Sequence, residues 1–226
     1  MPKTDTYHHG NLHRSLLQEA AREVRKNGWV DLNMRALARK CDVSHTAVYR
    51  HFKDKDELLA EIAVGGFAKL NKELRQASEP VLSGHHQDQQ QAFQSLAEQL
   101  VSIYVNFACA NPRLFALMYA PELSDRASFP ELLASASTAF NLTRSFIEWG
   151  QGTGTVRDGP SSQFAVAAFT AAHGLATLMS NGFLRLPQVN AVTREGFIQA
   201  TAGQILSYLA PAHSIDAART FSPAQS

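Results

Sequence analysis

His45, Thr46, Tyr49 and Arg50 are spaced so that, on a helix, an imidazole, a hydroxyl, a phenol and a guanidinium share one face. Val48 and Phe52, four apart, fall on the opposite face and would bury it. Hydrogen-bonding, aromatic and guanidinium groups displayed together suit the base edges and phosphates of a major groove. Ser44 stands where its hydroxyl caps this helix by accepting from a free N–H of the first turn. Just before it, Met34, Leu37, Ala38 and Cys41 recur at i, i+3, i+4 and i+7, giving an apolar face and a basic back of Arg35, Arg39 and Lys40. Asp42-Val43 breaks the period. Two short helices across so tight a turn read as a helix-turn-helix over 33–52.

A pair this short must be positioned by other elements. Leu16, Leu17, Ala20, Ala21 and Val24 mark a first helix from near Asn11 to Asn27-Gly28. Trp29 and Leu32 are apolar anchors in the bridge, and Asn33 caps the second helix, which completes a three-helix unit. Asp54 and Glu57 have the spacing of a capping box opening a fourth helix. Its seam, Leu58, Leu59, Ile62, Ala63, Phe67, Leu70 and Leu74, lasts to about Ser78 and joins the unit to the rest of the chain. Gly65-Gly66 interrupts it, either as a point of easy bending or as a site of close packing.

The remainder reads as helices punctuated by proline and glycine. Glu79 to Gln91 is expected to be a solvated connection, and its His85-His86 pair lacks the Cys or carboxylate partners of a metal site. Helices are expected over Ala92–Ala110, from Pro112 until Pro121 stops it, and over Pro130–Gly150. Gly150-Gln151-Gly152-Thr153-Gly154 imitates a phosphate loop but follows a helix and not a strand, so it reads as an interhelical loop. From Ser161 to Leu184 apolar residues cover nearly the whole helical circumference, which calls for a second subunit beside the parent domain. A last helix, Val192 to Leu209, should pack beside it. Met1–Thr6 is expected to be a mobile arm, and the chain from Pro211 a disordered tail.

Charge separates along the chain. Residues 1–60 carry 11 Lys/Arg against 8 Asp/Glu, with five histidines, whereas residues 61–226 carry 10 against 12. A basic quarter on a mildly acidic body suits a small nucleic-acid-facing domain on a different kind of support. Cys41 and Cys109 read as two buried thiols, and a redox sensor using either is the alternative. Neither a signal peptide nor a membrane-length apolar run is found, so a cytoplasmic protein with reduced thiols is expected. No nucleophile elbow, metal triad, paired carboxylates or phosphate loop in context is present. The expectation is a non-enzyme without cofactor or metal.

The run LARKCDVSHTAVYRHFKDKDELL, with the preceding YHHGNL, resembles the TetR family of bacterial transcriptional regulators. Asp42 stands where that family usually has glycine, and aspartate tolerates the left-handed conformation better than most residues. AAHGLATL around His173-Gly174 is similar to the C-terminal type named for a Trp-His-Gly pattern, with Phe169 at the tryptophan position. The resemblance implies an all-α fold of about nine or ten helices. DNA binding then lies in residues 1–56, effector binding and dimerisation in 57–210, and a tail in 211–226. It implies base contacts by Arg35, His45, Thr46 and Arg50, with Tyr49, His51 and Lys55 at the DNA backbone and Ser44 among the DNA-binding residues. It further implies a repressor released by an unknown small molecule, homodimeric through helices near 161–184 and 192–209, on a near-palindromic double-stranded operator. Candidate ligand contacts are Phe107, Phe115, Met118, Tyr119, Phe140, Trp149, Phe169 and His173, the last being either a core histidine or a ligand contact.

Overall fold

The computed structural model describes residues 9–184 and 193–211; the expected arm at 1–6 and the tail beyond Pro211 lie outside them. Among the described residues every regular element is helical. The α-helices are α1 (His9–Asn27), α2 (Met34–Lys40), α3 (His45–Tyr49), α4 (Lys55–Ser83), α5 (Gln89–Ala110), α6 (Pro112–Met118), α7 (Pro130–Gly152), α8 (Ser161–Ser180) and α9 (Arg194–Leu209). No single helix among them is long and apolar enough to cross a membrane. Two compact units divide the chain, one of residues 1–69 and 110–136, the other of 70–109 and 137–226. The division therefore falls inside α4 and α7, and it places α6 in the unit of the helix-turn-helix; a boundary after residue 56, as motif spacing suggests, ignores that return of the chain.

In the first unit, Leu16, Ala20 and Val24 of α1 are fully buried at i, i+4 and i+8, and α1 packs against α2 and α6. The Asn33 side chain caps α2, accepting from the N–H groups of Arg35 at 2.9 Å and Ala36 at 3.2 Å. Asp42 takes a φ of 54°, the left-handed turn expected of it, and the Val43 N–H returns to the Ala38 carbonyl at 3.0 Å. The Asp54 carboxylate accepts from the Glu57 N–H at 2.9 Å, while Glu57 reaches back to the Lys53 N–H, one residue before the cap.

Several boundaries differ from expectation; α5, for one, begins at Gln89 and not at Ala92, inside the stretch expected as a connection. α3 stops at Tyr49, because the His51 and Phe52 N–H groups both turn onto the Val48 carbonyl at 3.0 Å. α4 runs through Pro80 to Ser83, past the expected end near Ser78. Proline removes only one ladder bond there, in the last turn, and the Ser78 and Ser83 hydroxyls fold back onto the carbonyls of Leu74 (2.7 Å) and Glu79 (2.6 Å). α8 ends at Ser180 and not at Leu184.

The paired glycines of α4 have unlike surroundings. A Cβ on Gly66 would lie 2.7 Å from Met118 Sδ and 3.2 Å from Leu114 Cδ1 of α6, whereas one on Gly65 would meet nothing within 4 Å. Close packing accounts for Gly66 alone.

In the second unit, α8 packs against α9. Phe164, Ala168, Ala172, Leu175 and Ala176 of α8 are buried, but Val166, Thr170, Gly174 and Leu178, at i, i+4, i+8 and i+12, form an open face. The Gly150–Gly154 segment is the end of α7 and its turn. A Cβ on Gly150 would approach Phe93 Cε2 and Val156 Cγ2 to 2.5 Å, so this glycine admits the Phe93 ring, which stacks on Phe146 at 4.3 Å. His86 bonds the Val81 carbonyl at 2.8 Å and meets the edge of Trp149, which ties it into the α4–α5 connection.

Gly65→Ala should stabilise the fold by about 0.5–1 kcal/mol, because an exposed helical glycine is replaced without contact. Gly66→Ala should destabilise it by about 1–3 kcal/mol through overpacking against the fully buried Met118. Urea unfolding of the two single variants checks this. Changes of the same sign would refute the distinction.

Candidate functional site

Two places in the molecule concentrate chemistry. The first is the outer surface of α2 and α3. Val48 and Phe52 are completely buried, and that burial turns His45, Thr46, Tyr49 and Arg50 outward; Arg35 is exposed on the first turn of α2. Ser44 accepts from the Ala47 N–H at 3.2 Å and so fixes the start of α3. The His45 ring stands edge-on to Tyr49 with centroids 4.7 Å apart, so the two form one aromatic block.

The other two predicted residues face inward. Lys55 donates to the Val30 carbonyl at 2.6 Å, holding the α1–α2 bridge, and half-buried His51 lies against His13 of α1 at 5.9 Å between rings. His13 in turn stacks on Phe52 at 4.7 Å and pairs with Glu61 at 3.3 Å. This inward network is invisible to spacing within a single helix. It joins residues nearly fifty positions apart.

Electrostatics sort the cations of this surface. Lys40 bonds Glu23 and lies 3.9 Å from Glu19, which also holds Arg22 at 2.6 Å. The Lys40 bond draws Glu23 below the usual carboxylate range, and Glu23 raises Lys40 in return. Lys40 is therefore partly neutralised by α1, whereas Arg35, Arg39 and Arg50 are exposed without an ion pair among the described residues.

The second place is a narrow apolar pocket inside the 70–109/137–226 unit, of about 650 Å³ with its open mouth included. Five helices wall it, through Leu74 of α4, Val101 of α5, Phe146 of α7, Ala168 of α8 and Ile205 of α9. Two lining residues carry hydroxyls, Thr143 and Tyr104, and that of Tyr104 lies 2.9 Å from Nδ1 of His173. Burial pushes the His173 imidazole below its ordinary pKa and keeps it neutral. His173 also stacks on Phe169, at 5.4 Å.

Of the eight predicted ligand contacts, Phe169 alone lines this pocket, and His173 reaches it through Tyr104. Phe115, Met118 and Tyr119 belong to the other unit, where Tyr119 packs on Phe67 at 5.5 Å. Trp149 joins the Phe93 stack, Phe107 is buried, and Phe140 is not on the wall. Large aromatic rings fill space; the void opens where Ala97, Ala139, Ala168 and Ala172 face one another. Alanines one turn apart on an otherwise apolar face are the sequence signal for it. Both thiols are half-buried and pushed up by burial, the reverse of the low-pKa, exposed cysteine a redox sensor needs.

Comparison with known proteins agrees with this geometry. Residues 16–62 match the family described as bacterial regulatory proteins, tetR family, and residues 97–201 match a tetracyclin repressor-like C-terminal domain. The latter description does not name the Trp-His-Gly type. A protein with unknown function from Rhodococcus sp. RHA1 is 31% identical, with a TM-score of 0.72 over 92% of this chain and 100% of that one. The TetR family transcriptional regulator PfmR from Thermus thermophilus is 22% identical, with a TM-score of 0.53 over 85% of this chain and 97% of that one. The fatty acid degradation regulator FadR from Bacillus halodurans is 12% identical, with a TM-score of 0.64 over 91% of this chain and 97% of that one. These last two likenesses establish the fold alone.

The state of His173 has a consequence for stability. Because its folded-state pKa lies below that of an exposed histidine, the unfolded chain binds more protons once the pH falls under about 6.5, and stability falls with it. His173→Gln should flatten that acid-side decline, as measured by urea unfolding at neutral and mildly acidic pH. An unchanged slope would contradict the assignment.

Proposed function

The chain belongs to the tetR family of bacterial regulatory proteins, a family of DNA-binding transcription regulators, and we propose that it is a repressor released from its operator by a small molecule. The observation that carries the DNA-reading part is the outward face of α3. Arg50, His45 and Tyr49 are exposed while Val48 of α3 and Phe52 just after it are buried, so this face can enter a major groove. Arg35, His45, Thr46 and Arg50 are assigned to base edges, Ser44 and Tyr49 to the phosphate backbone, and His51 and Lys55 to holding the reader in place.

A homodimer on a near-palindromic site is the second part of the reading. The open face of α8, Val166, Thr170, Gly174 and Leu178, carries no charge, and Ala200, Gly203 and Ser207 leave a similar exposed stripe on α9. Two copies joined through these faces would present two readers to half-sites roughly one helical turn apart. Ala176 is fully buried within the chain, so it belongs to the core and not to that seam.

Ligand release needs a path from body to reader. Helix α4 is shared between the two compact units, and α6, which follows α5 directly, packs within the reader's unit against α1. There the Arg113 guanidinium donates to the carbonyls of Lys26 and, at 3.2 Å, Arg25 at the end of α1. A ligand that favours a second arrangement of α6 would carry α1 with it.

Three outcomes are expected. In anisotropy titrations against a selected site and random DNA, Arg50→Ala should lose about 1–3 kcal/mol of preference, and an unchanged ratio would remove its base-reading role. Lys40→Ala should leave the salt dependence nearly as it is, because Glu23 already partly offsets that cation; a slope reduced by about one would instead place Lys40 on a phosphate. Leu178→Glu should yield monomers with weakened operator binding; a tight-binding monomer would exclude the dimeric reading.

A further inference from the structure

The side chains that α3 displays restrict which base edges it can read. A paired contact to the N6–N7 edge of adenine takes an amide side chain, and the sequence from Met34 to Leu70 contains neither Asn nor Gln. Asn33, just before that stretch, uses its side-chain oxygen to accept from the Arg35 and Ala36 N–H groups at the start of α2. The amide reader of adenine is therefore missing from both helices.

A guanidinium and a methyl group are present instead. Arg50, the one guanidinium of the 45–50 stretch, is exposed, and such a group donates two parallel bonds to guanine O6 and N7. Thr46 is exposed four residues earlier and carries a methyl group of the kind that packs against the 5-methyl of thymine. Arg50 keeps right-handed helical backbone angles, φ −79° and ψ −18°, so the helical spacing of α3 extends to it. The two residues thus share one face. They lie about 6 Å apart along the axis, close to two base-pair steps of about 3.4 Å each.

We propose that each half-site is read by Arg50 at the N7 and O6 of a guanine and by Thr46 at the 5-methyl of a thymine about two base pairs away, without a paired contact to the N6–N7 edge of adenine. This rests on the reading of the outward face of α3 as the base-contacting surface.

The test uses the full chain. A tightly bound duplex selected from a random pool is resynthesised with one base analogue at a time, and binding is followed by fluorescence anisotropy. 7-Deazaguanine, which lacks N7, should weaken binding about tenfold at one guanine of each half-site, and Arg50→Ala should bind the substituted and unsubstituted duplexes equally. Deoxyuridine, which lacks the 5-methyl, should weaken binding about threefold at one thymine, and Thr46→Ser, which keeps the hydroxyl, should lose that difference. 7-Deazaadenine should change affinity by less than about twofold at any position. Both substituted residues are exposed, so the variants retain the fold. A 7-deazaadenine effect as large as that of 7-deazaguanine, or either analogue effect undiminished in its matching variant, would overturn the proposal and leave the DNA-reading assignment in place. Failure of the pool to yield any duplex bound better than random DNA would overturn both.

Discussion

A helix of five residues closes barely one turn and has no stability of its own, so everything α3 displays depends on the burial of Val48 and Phe52. Those two side chains fix the rotation of α3 about its axis. Phe52 is clasped by His13 of α1, whose other contacts are Glu61 of α4 and His51. The outward face of α3 is thus held by a polar and aromatic clamp that α1 and α4 place on the residues just after α3. Arg50, His45 and Tyr49 are left exposed.

Much of this was legible in the sequence, because local rules decide it. The Asn33 and Ser44 caps, the left-handed Asp42 and the Asp54–Glu57 capping pair each involve groups within four residues of one another. Short-range chemistry leaves little freedom there. Pro80 is the instructive failure, since a proline reads as a helix breaker wherever it stands. In the last turn of α4 it removes one bond, and packing of the preceding turns, with Ser78 fully buried, outweighs that loss.

The pocket was illegible for a different reason. Large apolar residues suggest a ligand site by composition, yet at native density they fill volume and leave none. The Phe93–Phe146 stack is so tight that Gly150 cannot carry a side chain beside it. Space remains where small side chains from α5, α7 and α8 converge, and which helices converge is a tertiary fact. Tyr104 on its wall bonds His173, 69 positions along the chain, a pairing that no local spacing announces.

The contact between α6 and α1 combines two unlike kinds of interaction. Leu114, Phe115, Leu117 and Met118 bury one face of α6, so the helix stays within its unit. Arg113, by contrast, is exposed, and it meets the carbonyl end of α1, where partial negative charge gathers. A hydrogen bond at such a surface is worth about 0.5–1.5 kcal/mol net, because water replaces it when it breaks. Separating a buried leucine would cost about 1.5–3 kcal/mol with no such replacement. The polar latch can therefore be exchanged at small cost while the apolar face keeps α6 attached, which is the combination that the proposed release would require.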